Sequence, residues 1–388
     1  MEPQTSKRVN SFPPSGIRRI FELASRPDVI SLAIGEPDYD TPGHICAAAK
    51  EALDRGETHY SSNLGTAQLR EALARRFAEE SGVSVDPNRE IIVTIGGTEA
   101  LYLSMAAVLD AGDEVLIPDP GFMAYNSQVH LVDGVPLPYP LRIEKGFYPD
   151  PDEMERMVTP RTKMLLINSP GNPTGQLIPR DVLDGLAGLA ERHNLIVISD
   201  EVYNSIVYDG LESVSFASLP GMKERTITIN SFSKIYAMTG WRLGYAIAHP
   251  NLIDGMNKVH QVVAACAPTM LQSASAYALR ADQGFVREMV SEYQARRDMV
   301  TDLLNRVPGF RCIKPEGAFY AFPDIRGTGM KDFDLCEYLL LEAKVGAVPG
   351  NVFGSRGEGH VRVCYATSRD KLQEAGERMA KAMAKRGL

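Results

Sequence analysis

Lys234 stands in Ser231-Phe232-Ser233-Lys234, with Thr239-Gly240-Trp241-Arg242-Leu243-Gly244 just beyond it. A lysine amine condenses with an aldehyde to a Schiff base, and small hydroxyls with an arginine nearby are groups that hold a phosphate. The run is short, and a lysine in a loop is as readily a solvated charge. Other stretches carry the remaining groups such a site needs. Gly96-Gly97-Thr98-Glu99 follows an apolar run and opens a helical one, where free N–H groups and the helix dipole seat a phosphate. A plain N-cap threonine after a Gly-Gly turn uses the same donors, so both readings stand. Phe122, in Pro120-Gly121-Phe122, is either a stacking face for a flat ring or a core aromatic. Asn168-Ser169-Pro170-Gly171-Asn172-Pro173-Thr174-Gly175 reads as a surface loop, or as a stiffened one presenting a fixed amide to a ring hydroxyl and a carboxylate. In Asp200-Glu201-Val202-Tyr203 a carboxylate emerges from the most apolar run of the chain. It would keep a ring nitrogen protonated, with Tyr203 donating to a ring oxygen, or it merely caps the next element. Arg362 suits a bidentate grip on a carboxylate, or a surface ion pair.

The elements that must position these groups are legible as an alternation. Runs at 91–95, 114–117, 164–167, 195–198 and 226–229 are short, apolar and rich in Ile, Val and Leu, as buried parallel strands are. Helix-length segments such as 98–109 and 181–192 lie between them. The pattern predicts an α/β chain with a mostly parallel central sheet covered by helices. Ligands in such sheets bind beyond the carboxyl ends of the strands, and every one of these candidates except Arg362 falls there. The apolar positions Val286, Met289, Val290, Tyr293, Val300, Leu303, Leu304 and Val307 keep a helical period that Pro308-Gly309 ends. This helix is expected to lead into a smaller α/β domain. The expected division is an N-terminal segment 1–44 packing with the small domain, a large domain 45–284, and a linker helix with the small domain at 285–388.

Composition narrows the partners. The 388 residues, 44% hydrophobic and 23% charged, are those of a soluble globular protein with room for about two domains. A net charge of -8 without a basic block argues against nucleic acid. Five widely spaced cysteines without a CxxC and seven scattered histidines indicate neither a disulfide framework nor a metal site. Residues 1–14 are polar, with Pro13-Pro14, and no apolar run would span a bilayer. A cytoplasmic protein with no membrane partner is expected.

The ordered set Gly97-Thr98, Phe122, Asn172-Pro173-x-Gly175, Asp200-x-x-Tyr203, Ser231-x-Ser233-Lys234, Arg242 and Arg362 resembles the class I aminotransferases, fold-type I pyridoxal-phosphate enzymes. The resemblance runs from Gly35-Glu36-Pro37-Asp38 through Val361-Arg362-Val363. Ile34-Gly35-Glu36-Pro37-Asp38-Tyr39-Asp40-Thr41-Pro42 and Pro349-Gly350-Asn351-Val352-Phe353-Gly354 are most similar to the prokaryotic and archaeal aspartate and aromatic branch. It implies that Lys234 forms the Schiff base with pyridoxal 5'-phosphate and shuttles the proton. Asp200 would pair with the ring nitrogen, Asn172 and Tyr203 with the ring oxygen, and Phe122 would stack on the ring. Gly97, Thr98, Ser231, Ser233 and Arg242 would take the phosphate. Arg362, with Asn172 and the Gly35 backbone, would bind the substrate carboxylate. Tyr60 would reach the neighbouring subunit's cofactor, which implies a homodimer with sites at the interface.

The implied reaction is a ping-pong exchange between an L-amino acid and a 2-oxo acid such as 2-oxoglutarate or pyruvate. Two positions depart from the pattern. Thr98 stands where aspartate-specific relatives often have a lysine, which favours an aromatic or broad neutral donor over aspartate. Ala265 stands where a hydroxyl commonly contacts the phosphate across the dimer. The same electron sink also permits a lyase or synthase, such as a carbon–sulfur lyase. A non-catalytic ligand sensor on this fold is a further reading, opposed by the acidic charge and the short polar N-terminal stretch.

Overall fold

The computed structural model describes residues 5–10 and 26–387, so Pro13 and Pro14 lie outside the described residues. Its centre is a seven-stranded sheet. In chain order the strands are β2 (Ile91–Thr94), β3 (Glu114–Asp119), β4 (Val135–Pro140), β5 (Thr162–Asn168), β6 (Ile196–Asp200), β7 (Thr226–Ser231) and β8 (Gly244–Ile247), after a short β1 (Ile30–Ser31). Their spatial order is β2-β8-β7-β6-β5-β3-β4. Only β8 runs antiparallel to its neighbours. The five runs read from sequence all fall on strands of this sheet. Alternate residues serve opposite faces: Val115, Ile117, Leu166 and Ile198 pack into one core, Leu116, Leu165, Ile167 and Val197 into the other. That double burial explains why these strands read as continuous apolar runs.

Two strands of this sheet escaped the sequence reading for physical reasons. In β4, Pro136, Pro138 and Pro140 alternate with other residues, and a strand that lacks those donors is tolerated because it is the sheet's edge, paired with β3 alone. In β8 the run Gly-Tyr-Ala-Ile is too short to stand out. Its Gly244 is required by a close approach: a Cβ there would lie 2.6 Å from Gly96 C and Gly97 N.

The linker helix spans Gly284–Arg306 and buries Val286, Met289, Tyr293, Val300, Leu303 and Leu304. Beyond it β9 (Tyr320–Ala321), β11 (Val348–Pro349) and β12 (Val361–Cys364) form an antiparallel sheet with β12 in the middle. β10 (Val345–Gly346) pairs in parallel with β1. Leu32 continues this link by accepting from the Cys364 N–H at 2.8 Å. One apolar cluster joins these strands to the helix, with Tyr203, Ile206 and Tyr208 from the large sheet's side. Among the described residues no helix is long and apolar enough to cross a membrane, and no group of three or more His, Cys, Asp or Glu side chains is placed to hold a metal ion.

Candidate active site

Because only β8 is reversed, the carboxyl ends of β2, β3, β5, β6 and β7 open at one edge of the sheet. A cavity of about 280 Å³ lies there. Gly35, Gly97, Thr98, Phe122, Asn172, Asp200, Tyr203, Ser231, Ser233, Lys234, Arg242 and Arg362 all line it. Tyr60 does not, and stands 87% exposed elsewhere on the surface.

One corner of the cavity is a helix start. The helix Gly96–Val108 begins directly after β2 with Ile95 as its N-cap. Thr98 therefore lies inside the first turn, which removes the plain-cap reading of that residue. The Ile95 N–H donates instead to Glu99 Oε2 at 2.5 Å, and Glu99 Oε1 lies 3.0 Å from His260 Nδ1. The N–H groups of Gly97 and Thr98 belong to the turn whose donors have no partner within the helix. Arg242, at a left-handed φ of 55°, crosses Gly96 so closely that a Cβ on that glycine would meet its guanidinium at 2.6 Å. Among the described residues only Nη1 of this exposed arginine is occupied, by the Thr239 carbonyl at 3.0 Å. Ser231 and Ser233, both buried, complete a corner of hydroxyls, amides and one cation, a donor set suited to a phosphate.

Asp200 ends β6 with its carboxylate buried at the cavity. Tyr125 donates to Oδ2 at 2.6 Å, and the Val202 N–H reaches Oδ1 at 3.3 Å. Burial pushes its carboxyl up to about 6, against the opposing hydrogen bonds and the charge of Lys234. No helix follows Asp200, so it caps none. Phe122 packs edge-on against Tyr125, ring centroids 5.6 Å apart. Tyr125 was not read from the sequence, because its partner Asp200 is distant in the chain.

Lys234 lies in the short helix Phe232–Ile235 that follows β7. Its Nζ donates to the Gly35 carbonyl at 2.6 Å. Burial pulls the amine down to about 8; Arg362 and Arg242 pull the same way, while Cys364 and Glu36 oppose. Arg362, on the middle strand β12, is 6% exposed and has no salt-bridge partner among the described residues. Its Nη1 donates to Asn172 Oδ1 at 3.1 Å and its Nη2 to the Ala33 carbonyl at 2.7 Å. The Tyr320 and Phe353 rings hold the guanidinium at 4.7 and 4.9 Å, and its Nε is buried without a partner among the described residues. A surface ion pair it is not. A buried, uncompensated cation of this kind is a prepared seat for an anion.

Asp200 also makes a stability test. The unfolded carboxyl releases its proton near its ordinary 3.8 and the folded one near 6. Between those values the unfolded chain holds fewer protons, so stability falls as pH rises through the window, by up to about 3 kcal/mol in all. Asp200→Asn removes that penalty while leaving an acceptor for Tyr125. In the cofactor-free protein it should melt higher than wild type at pH 8 and alike at pH 4, followed by circular dichroism. A lower melting point at pH 8 would show that the carboxylate is compensated within the fold.

With this geometry in view, the comparisons are direct. The model of the family "Aminotransferase class I and II" matches residues 27–379. The chain belongs to the class I and II aminotransferases. It is 47% identical to an aspartate aminotransferase of Pyrococcus abyssi over 386 residues, covering 99% of both. It is 45% identical to aromatic-amino-acid aminotransferase 2 of Thermococcus litoralis, again over 99% of both. The crystal structure of an aromatic aminotransferase from Pyrococcus horikoshii OT3 superposes with a TM-score of 0.91 at 46% identity, covering 96% of this chain and 100% of that one. The protein is thus a pyridoxal-phosphate-dependent aminotransferase of fold-type I architecture. The readings as a lyase and as a ligand sensor give way to it.

Proposed function

We propose that this aminotransferase moves the amino group of an aromatic or broadly neutral L-amino acid to a 2-oxo acid by a ping-pong exchange at the cavity beyond β2, β3, β5, β6 and β7. The observation that carries the donor class is the cavity's supply of cations. Lys234, Arg242 and Arg362 are the only basic side chains of the described residues that line it, and each has a place in the chemistry of the exchange. None that this chain supplies there is left for a second substrate carboxylate. Aspartate would therefore be a poorer donor, although relatives of both kinds are similar to this chain at 47% and 45% identity.

The residues fit pyridoxal phosphate. Gly97, Thr98, Ser231, Ser233 and Arg242 would hold its phosphate, and Phe122 would lie on its ring. Asp200 would pair with the ring nitrogen and Asn172 and Tyr203 with the ring oxygen. When bound, the group supplies an aldehyde and an electron-withdrawing ring that acidify the Cα proton of an amino acid. Lys234, with an amine near 8, would take that proton and return it to the neighbouring carbon. Arg362 would hold the α-carboxylate of donor and acceptor alike, with Asn172 and the Gly35 backbone beside it. The proposed domains, 1–44, 45–284 and 285–388, place Lys234 and Asp200 in one and Arg362 in another. Supplying each amino acid in turn with pyruvate, oxaloacetate or 2-oxoglutarate tests the reading. A cytoplasmic setting accords with five free cysteines.

A homodimer is part of the proposal. Tyr60, Val262 and Val263 are 87%, 79% and 57% exposed. Tyr60 lies in a loop and the two valines end the helix Pro250–Val263, and the segments beside them are tied together: Asn63 Nδ2 donates to the Ala265 carbonyl at 2.5 Å and Thr269 Oγ1 to the His59 carbonyl at 2.7 Å. The apolar side chains thus share a firm surface that would suit a second copy. Val262→Asp should raise the dissociation constant at least about tenfold in sedimentation runs, about 1.4 kcal/mol. An unchanged constant would place the interface elsewhere.

A further inference from the structure

Tyr203 does not reach the cavity alone. Its hydroxyl lies 2.8 Å from that of Tyr320, and the Tyr320 hydroxyl lies 3.4 Å from the Gly35 carbonyl, the acceptor that also takes Lys234 Nζ at 2.6 Å. The contact is tightly built. The two rings meet edge-on at 5.7 Å, and a Cβ on Gly35 would come within 2.5 Å of the Tyr320 hydroxyl oxygen. Tyr320 is 1% exposed and stands on β9, in the sheet that carries Arg362, whereas Tyr203 follows β6 of the large sheet. The face of the Tyr320 ring lies against the Arg362 guanidinium at 4.7 Å. One side chain therefore touches the proposed partner of the cofactor's ring oxygen with its tip and the proposed carboxylate grip with its face.

Counting protons gives the tip a function. Each phenol carries one proton, and a phenol donates once while accepting from others. With nothing else bound, the chain runs Tyr203 to Tyr320 to the Gly35 carbonyl. For Tyr203 to donate outward to an acceptor in the cavity, its proton must leave Tyr320. The hydroxyl of Tyr320 then keeps its bond to Tyr203 only by turning its own proton away from Gly35 and donating. A phenol that accepts such a bond is the stronger donor in turn. The Gly35 carbonyl is left to Lys234.

We propose that Tyr320 is a positioning residue for this reaction: its hydroxyl donates to Tyr203 so that Tyr203 donates to an anionic oxygen in the cavity, while its ring separately supports Arg362. The inference rests on the proposed function, since the oxygen that Tyr203 would serve is the cofactor's.

Tyr320→Phe keeps the ring and deletes only the hydroxyl. Asp200, Arg362 and Cys364, which act on the two phenols, and Arg362, Arg242, Cys364 and Glu36, which act on Lys234, stay in place. The readout is the pH midpoint of the visible absorbance of protein loaded with pyridoxal phosphate. A weaker donor at Tyr203 stabilises the anionic oxygen less, so its proton is held more tightly and the midpoint moves up, by about half a unit. The maximal rate should fall severalfold, while KM for either substrate changes less than twofold because the ring still faces Arg362. In a Tyr203→Phe background, adding Tyr320→Phe should move the midpoint no further, which a purely structural role would not produce. Tyr320→Leu, which removes the ring, should raise KM for both substrates at least fivefold. A wild-type band with an unmoved Tyr320→Phe midpoint overturns this inference alone. So does an equal shift in both backgrounds. A wild-type protein that takes up pyridoxal phosphate without a borohydride-reducible band overturns the functional reading and this inference with it.

Discussion

Lys234→Ala is expected to lower transamination by about 10⁴-fold or more, measured as 2-oxo acid formed from a saturating amino donor. The magnitude follows from two losses at one atom. The Nζ that would bond the cofactor aldehyde is also the base that would move the substrate proton, and no other side chain in the cavity can replace it. Asp200 is engaged by Tyr125, and the guanidinium groups of Arg242 and Arg362 do not give up protons. Burial is what makes the amine competent. Pulled down to about 8, it is neutral in about a quarter of molecules at pH 7.5, against about one in a thousand for an ordinary lysine. Lys234→Arg keeps a positive charge and loses the base, so it should be as inactive as the alanine variant. Ethylamine should return part of the rate to Lys234→Ala and none to Lys234→Arg, whose side chain still fills the place. Borohydride should fix pyridoxal phosphate to the wild-type protein at the peptide that contains Lys234 and to neither variant. Full activity in the alanine variant would take Lys234 out of the chemistry.

The same charge logic fixes a stability dependence at Lys234. Its folded value lies below the ordinary 10.5, so the unfolded chain binds more protons between about pH 8 and 10.5. Stability from this group rises with pH across that window. The site thus holds a lysine and an aspartate both displaced against folding, which is common where groups are retained for chemistry.

How much of this was written in the sequence depends on the range of the interaction. Lys234, Asp200 and Gly97 are each placed by the strand just before them, and a buried parallel strand announces itself by composition over a few residues. Their convergence follows once the strands are known to share a direction, because one edge of the sheet then collects every carboxyl end. Tyr125 and Tyr320 were not legible. Tyr125 acts on Asp200, 75 residues away, and Tyr320 on Tyr203, 117 residues away. Nothing local distinguishes a buried tyrosine with a polar task from one that only packs. In the run 318–322 the neighbours of Tyr320 are apolar, which accounts for the burial of its ring and says nothing of the task of its hydroxyl. Thr98 shows the opposite case: the local signal was clear but double, and only the start of the helix at Gly96 separated a cap from a residue of the first turn. β4 stayed hidden because its prolines speak against a strand unless it is already known to be an edge.

Arg362→Ala is expected to raise KM for the amino donor and for the 2-oxo acceptor together, each by about 10²-fold or more, with a smaller fall in the maximal rate. Both substrates of a ping-pong exchange carry one carboxylate in common, and the proposal gives both to one guanidinium. That guanidinium is held in advance by Asn172, by the Ala33 carbonyl and between the rings of Tyr320 and Phe353. A carboxylate arriving there meets a charge already stripped of water and oriented, and loss of such a partner costs about 2–5 kcal/mol. Arg362→Lys keeps the charge without the fork and should recover only part of the loss. Stability separates this role from a structural one. A buried cation with no carboxylate partner among the described residues does not support the fold by ion pairing, so the cofactor-free Arg362→Ala protein should melt within a few degrees of wild type. A donor constant that rises while the acceptor constant stays put would mean that two groups, not one, recognise the carboxylates. Arg362 would then lose its place in half of the exchange.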